Sequence, residues 1–295
     1  MFSKAFPFSL PQLAPFVFVV LWSTGFVGSR MGAPYSEPMT FLSLRFGSVM
    51  ILLLILSLAL GAKWPTPRQS LHAFISGFMI HGIYLSGVFW AIDDGMPAGL
   101  FALVTGLQPV LTAFFAHAIL KETINRNHVI GLGLGLVGIS LVLLPRLHGG
   151  AFSVTPQQIC VAVIAIVGIS LGTVYQKRFA SNLDMRTATI WQYLAALLLC
   201  GSLSCLLESQ TIIWSGAFIF ALGWLVLVLS IGAIFMLLWL IEHGAVSNTA
   251  SLFYLVPAVT AVISFLLFDE PITLLQIVGM IITAASVILA SRKAG

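Results

Sequence analysis

Apolar stretches long enough to cross a lipid bilayer follow one another along this chain of 295 residues, with only short breaks between them. A span needs about 20 predominantly apolar residues to bridge the hydrocarbon core. Ten segments meet that need: 13–31, 38–60, 71–92, 97–119, 128–145, 157–177, 187–207, 215–240, 246–268 and 272–291. Pro65, Pro67, Pro97, Pro145, Pro156 and Pro271 punctuate the breaks, and no linker is long enough to separate soluble domains. Only 7% of the residues are Asp, Glu, Lys or Arg, 59% are hydrophobic, and the mean hydropathy is +1.08. A soluble globular chain carries roughly a quarter charged residues. The spacing and composition therefore predict an all-α polytopic membrane protein. They exclude a secreted disulfide scaffold, a disordered chain and a nucleic-acid-binding domain.

The loop charges predict an orientation. With the N-terminus inside, ten basic residues fall on the cytoplasmic side: Lys4, Lys63, Arg68, Lys121, Arg126, Lys177, Arg178, Arg186, Arg292 and Lys293. Only Arg30 and Arg146 fall outside, and basic loops stay cytoplasmic. Both termini are thus expected in the cytoplasm. Lys4 and the apolar run after it, interrupted by Pro7, Pro11 and Pro15, read as a retained first helix rather than a cleaved leader. Cys160, Cys200 and Cys205 have neither a paired nor a metal-ligand spacing, so no metal or cofactor is expected.

A shift of 148 residues brings several landmarks into register without a gap. Arg30 falls on Arg178, Pro109 on Pro257, Glu122 on Glu270, and Gly131 on Gly279. The chain thus reads as two repeats, 1–147 and 148–295. Each holds five spans, an odd number, so the second repeat must be inverted relative to the first. Inverted repeats around a central site characterise secondary transporters.

These features resemble the ten-helix drug/metabolite transporter superfamily, in particular its EamA-type exporters. The residues that carry the likeness are Trp22-Ser23-Thr24-Gly25-Phe26-Val27-Gly28 in the first span and Arg45-Phe46 in the second. To them is added the run from Pro97 through Pro109 to Glu122, repeated as Ala245 through Pro257 to Glu270. The resemblance covers nearly the whole chain. It implies a basket of ten helices in a bacterial inner membrane, with spans 1, 3, 4, 6, 8 and 9 around a central cavity that moves small metabolites. Members differ in substrate, so the family leaves the cargo open.

Ionisable groups inside a span are expensive and therefore functional suspects. All nine acidic residues lie at predicted span ends, which removes support for a proton relay built on a midplane carboxylate. Glu122 and Glu270 are expected to close helix ends or pair with a cation at the cavity rim, or to act as gates. Arg45, about seven residues inside the second span, either snorkels to the interface or grips a substrate carboxylate. His81 either hydrogen-bonds a neighbouring helix or touches substrate or a proton, and Tyr84 shares its face. The candidate cavity set is Trp22, Arg45, His81, Tyr84, Gln108, Tyr175 and Tyr254. Pro109 and Pro257 free backbone carbonyls, while Gly25 and its counterpart Thr173 allow the first and sixth spans to bend. Aromatic and neutral polar groups suit an amphipathic metabolite, such as an amino acid or an aromatic compound, and not a polyphosphate.

Two motif matches lack their context. Gly133-Leu134-Gly135-Leu136-Val137-Gly138 spells the dinucleotide fingerprint but sits inside a helix with no strand before it. Its small face serves a homodimer or internal packing equally well. Gly168-Ile169-Ser170-Leu171-Gly172 spells the hydrolase elbow, again within a helix. The expected function is a secondary exporter working by alternating access. The alternatives are a passive facilitator and an intramembrane hydrolase using Ser170 with His81 or His243.

Overall fold

The computed structural model describes residues 10–96, 98–147, 154–268 and 272–291, which are helical and contain no β-strand. The helices are α1 (Leu10–Gly32), α2 (Pro38–Ala59), α3 (Pro67–Asp93), α5 (Arg126–Leu147), α6 (Pro156–Phe179) and α7 (Met185–Leu207). They continue as α8 (Gly216–His243), α9 (Val246–Leu267) and α10 (Leu274–Ala290). Between α3 and α5 lies α4, in two pieces, Ala98–Thr105 and Gln108–Leu120. Among the described residues eight helices are long and apolar enough to cross a membrane; the second piece of α4 and the 17-residue α10 are shorter. The expectation of ten spans thus meets eight full-length helices.

Local chemistry sets the breaks. Thr66, Thr155 and Thr273 each form a capping box with the glutamine three residues on, satisfying helix-start N–H groups that lipid cannot. Pro109 has no N–H to give to the carbonyl of Thr105, four residues earlier, and its ring crowds that carbonyl. Thr105 is where the first piece of α4 ends. The matched Pro257 acts on Phe253, and there α9 tightens into a 3₁₀ turn over Leu252–Tyr254. A second irregularity is also shared. α3 carries a π-helical segment at Phe78–Ile83 and α8 one at Leu225–Ala233, and the 148-residue shift lays the first inside the second.

Two antiparallel pairs frame the molecule. In α5 and α10 the contacts are reciprocal: His128 Nδ1 is bonded to the Ala290 carbonyl (3.0 Å), and Gln276 Nε2 donates to the Val142 carbonyl (3.2 Å). The shift exchanges these two bonds with each other. A Cβ at Gly279 would stand 2.7 Å from the Gly138 carbonyl, and one at Gly138 would stand 2.8 Å from the Thr283 nitrogen. Gly131 and Gly138 thus pack against α10 and Gly135 against Tyr254, while Gly133 has open space around its Cβ position. In α2 and α7, the Glu208 carboxylate accepts from the Met39 and Thr40 N–H groups and the Thr40 hydroxyl, each at 2.7 Å. At the other end of the pair, the Thr187 hydroxyl donates to the Lys63 carbonyl (2.7 Å). Phe46, Leu42, Val49, Leu53 and Tyr193 fill the seam between them. Glu37 clasps the loop after α7, accepting from the Ser209 N–H (3.1 Å) and hydroxyl (2.8 Å), and these bonds hold its carboxyl below the usual carboxylate range.

Candidate functional site

A cavity of about 910 Å³ lies between α1, α3, α4, α8 and α9, with contributions from α2 and α5. Its α1 wall runs from Trp22 through Gly25 and Ser29 to Arg30, and its mouth includes Ser36, Pro38 and Asp93. One turn before Trp22, Phe18 is fully buried. Its ring packs 5.4 Å from those of both Trp22 and Phe253, which stand 5.1 Å apart edge to face. This aromatic plug is the floor. The cavity is open at the end of Arg30 and Asp93 and closed at the opposite end.

Cross-links between helices seal the closed end. The Glu122 carboxylate, at the end of α4, accepts from the N–H groups of Val246 (2.8 Å) and Ser247 (3.2 Å) and from the Ser247 hydroxyl (2.8 Å). It thereby caps the N-terminus of α9, where orphan N–H groups and the helix dipole favour an anion. Arg178 of α6 donates to the Ile119 carbonyl (2.9 Å), and Lys177 to the carbonyl of Glu242. Higher up, the Ser23 hydroxyl reaches the Val256 carbonyl (3.3 Å), and the Ser170 hydroxyl the Gln108 carbonyl (3.3 Å).

At mid-depth stands Arg45, 2% exposed yet part of the cavity wall. Its Nε donates to the Ser230 hydroxyl (2.8 Å), and among the described residues no carboxylate pairs with it. Ser230 is held in turn, because the Tyr193 hydroxyl donates to its carbonyl (2.9 Å). Tyr193 is sandwiched between Phe46 and His81, with centroids 5.5 and 4.8 Å away. With Nε engaged by Ser230, the Nη pair is the edge of the guanidinium left for a carboxylate, which it can meet as a fork.

Of the residues singled out from sequence, Trp22, Arg45, His81, Tyr84, Gln108 and Tyr254 line this cavity, as do Gly25, Pro109 and Pro257. Tyr254 is anchored by donating its hydroxyl to the Leu132 carbonyl (3.1 Å). Tyr175 is not in the cavity: it faces α3 near the closed end, hydrogen-bonded to His72 Nδ1 (2.7 Å) and packed against Phe179. Its neighbour Gln176 points into a buried cluster, accepting from the Ser76 hydroxyl (2.7 Å) and Gln192 Nε2 (3.0 Å). Thr173 is buried and turns back to the Ser170 carbonyl (2.9 Å). Glu270 and Pro97 lie outside the described residues. Nor do the hydrolase partners meet: Ser170 serves Gln108, His81 stacks on Tyr193, and His243 Nδ1 is bonded to the Trp239 carbonyl (3.0 Å). Sequence reasoning missed Ser230 and Tyr193. The signal for Ser230 was within reach, since it is a lone hydroxyl in the apolar run Leu227-Val228-Leu229-Ser230-Ile231.

The comparisons with known proteins agree with this architecture. The model of the EamA-like transporter family matches twice, over residues 12–144 and 157–292. "Uncharacterized transporter YvbV" of Bacillus subtilis is 28% identical, the match covering 93% of this chain and 89% of the relative. "Uncharacterized inner membrane transporter YedA" of Escherichia coli K12 is 25% identical, over 94% and 89%. "Probable amino-acid metabolite efflux pump" of the same organism is 25% identical, over 90% and 89%. A solved crystal structure 22% identical in sequence superposes with a TM-score of 0.78 over 95% of each chain, which shows the shared fold. With the family matched over both halves and eight helices able to cross a bilayer, this chain is a multi-pass membrane protein that belongs to the EamA-like transporter family.

Proposed function

We propose that the protein is a secondary transporter that exports small amphipathic metabolites bearing a carboxylate, of amino-acid or aromatic type, by alternating access. The observation that carries this reading is the buried Arg45, held by Ser230 and unpaired by any described carboxylate, in the wall of a cavity open at one end. An unpaired buried charge is costly. A cargo carboxylate offsets that cost while it is bound. The name of the amino-acid metabolite efflux relative points the same way.

The architecture behind this reading is two inverted five-helix repeats, 1–147 and 148–295, in a bacterial inner membrane with both termini cytoplasmic. It is supported by the antiparallel pairing of α5 with α10, the two hydrogen bonds that the repeat exchanges, the coincident π segments and the double family match. In that orientation the cavity faces outward and the seal containing Glu122 is cytoplasmic. Glu122 then acts as the inner gate, with Glu270 as its counterpart in the second repeat.

The test is made in a variant lacking Cys160, Cys200 and Cys205, carrying Tyr84→Cys and reconstituted in liposomes. A membrane-impermeant thiol reagent is expected to reach position 84 from both sides, and Glu122→Gln is expected to raise reaction from the cytoplasmic side. Reaction from one side only, in all conditions, sinks alternating access. Counterflow with and without a pH gradient separates a coupled exporter from a facilitator.

A further inference from the structure

The geometry points to a cargo that is a monocarboxylate with an apolar or aromatic body and no free ammonium group, so that zwitterionic α-amino acids are discriminated against. This rests on the carboxylate reading of Arg45. Three observations carry it.

The first is the charge inventory along the cavity. Every Asp and Glu of the sequence lies at the end of an apolar segment. Among the described residues the ionic ones lining the cavity are Arg45 at mid-depth and Arg30 and Asp93 at the mouth. At the depth of Arg45 the cargo meets one positive charge and no negative one. An α-ammonium is fixed beside its own carboxylate, so it stands roughly 5 Å from the guanidinium that grips that carboxylate. Like charges at that range repel strongly where water is scarce.

The second is the state of the polar groups that surround Arg45. The His81 Nε2 atom is buried, and the buried amide nitrogen of Gln108 can only donate. The Ser230 hydroxyl already accepts from Arg45, and the Tyr193 hydroxyl donates to the Ser230 carbonyl. An ammonium stripped of water at this level finds no carboxylate to replace it, and burying such a charge unpaired is prohibitive.

The third is the wall around the site. Trp22, Phe41, Tyr84, Phe89, Phe253 and Val256 offer a broad apolar surface. They suit an aryl or branched alkyl body better than a second polar end. Deaminated and N-acylated amino-acid derivatives have this form: one anionic head, no cation, one apolar body. Reactions that remove or acylate an α-amino group are the class that generates such cargo.

Purified full-length protein is tested with 3-phenylpropionate, N-acetylphenylalanine, phenylalanine and phenethylamine. Thermal shift gives binding and proteoliposome counterflow gives exchange. The first two are expected to raise the melting temperature and to exchange with half-saturation at least tenfold below that of phenylalanine, with phenethylamine inert. Arg45→Gln is expected to lose that preference. Arg45→Lys keeps the charge, guards against a folding defect, and is expected to bind the two anions at least tenfold more weakly.

Phenylalanine matching or exceeding 3-phenylpropionate overturns the inference while leaving a carboxylate transporter in place. Arg45→Gln or Arg45→Lys retaining full affinity for the anions overturns the placement of the head group. Exchange of non-carboxylate solutes alone removes the carboxylate reading as a whole. A protein that exchanges no solute loses the transporter reading with it.

Discussion

The rim pairs and the cavity helices use the same apolar alphabet to opposite ends. Along α5 and α10, glycines bring two backbones into contact, and two hydrogen bonds lock the pair reciprocally. In α2 and α7 a carboxylate caps the neighbouring helix, and the seam is filled by close-fitting side chains. Around the cavity regularity gives way. α3 and α8 carry π segments, α4 is broken ahead of Pro109, α9 tightens ahead of Pro257, and Arg45 has no anionic partner among the described residues. The difference teaches where the fold is rigid and where it is left able to rearrange. Packed interfaces resist change, while irregular helices offer alternative hydrogen-bond registers at low cost.

Breaking the rim should abolish the fold. Gly279→Leu drives a side chain into the backbone of α5, where overpacking costs about 3 kcal/mol or more. Loss of the monodisperse peak in detergent chromatography is the expected result. Gly133→Leu, on the same α5 but with open space around its Cβ position, should elute as wild type. Equal behaviour of the two would erase the distinction between rim and surface.

Breaking the centre should spare the fold and damage transport. Ser230→Ala removes the bond that orients Arg45, and a hydrogen bond to a charged group is worth about 1.5–3 kcal/mol. The expected outcome is a rise in KM of about tenfold or more for the cargo, with a melting temperature near that of wild type. A large drop in melting temperature with unchanged KM would place Ser230 with the rim, as a structural residue.

The smallest effect belongs to the exposed clasp of Glu37 on Ser209. Its carboxyl is held below the usual range, so the stability it adds is present at neutral pH and is lost as pH falls through the lowered folded-state value. Glu37→Gln should melt slightly below wild type at neutral pH, with the gap closing as the pH falls through the acid range. A gap that widens on acidification would contradict that sign.

Much of this was legible in the residues. Prolines marked the connections between helices, and the matched Pro109 and Pro257 stand just after the break in α4 and the 3₁₀ turn in α9. Arg45 was conspicuous as the lone ion in a span. Glu122 was expected to close a helix end, pair with a cation or act as a gate; its carboxylate meets the start of α9, because a long side chain at a helix terminus reaches its neighbour as readily as itself. What escaped depends on side chains meeting across helices. Tyr175 and Tyr84 look alike in sequence, and only the rotation of α6 against α3 separates them, turning Tyr175 to His72. The π segments also escaped, since the inserted residue leaves hydropathy unchanged while shifting every later side chain around the axis.

If the protein works as proposed, Arg45 also makes its site sensitive to voltage. With a monocarboxylate aboard, the mid-depth charge is cancelled and the loaded carrier turns over as a neutral body. Emptied at the outer face, the site regains its positive charge and must swing back to the inside. A membrane that is negative inside favours that return by up to about 2.3 kcal/mol per 100 mV for a full traverse of the field. Each cycle thus moves one negative charge outward, down the electrical gradient. On that reading the membrane potential favours export of the anion, and no proton route within the spans is needed for it.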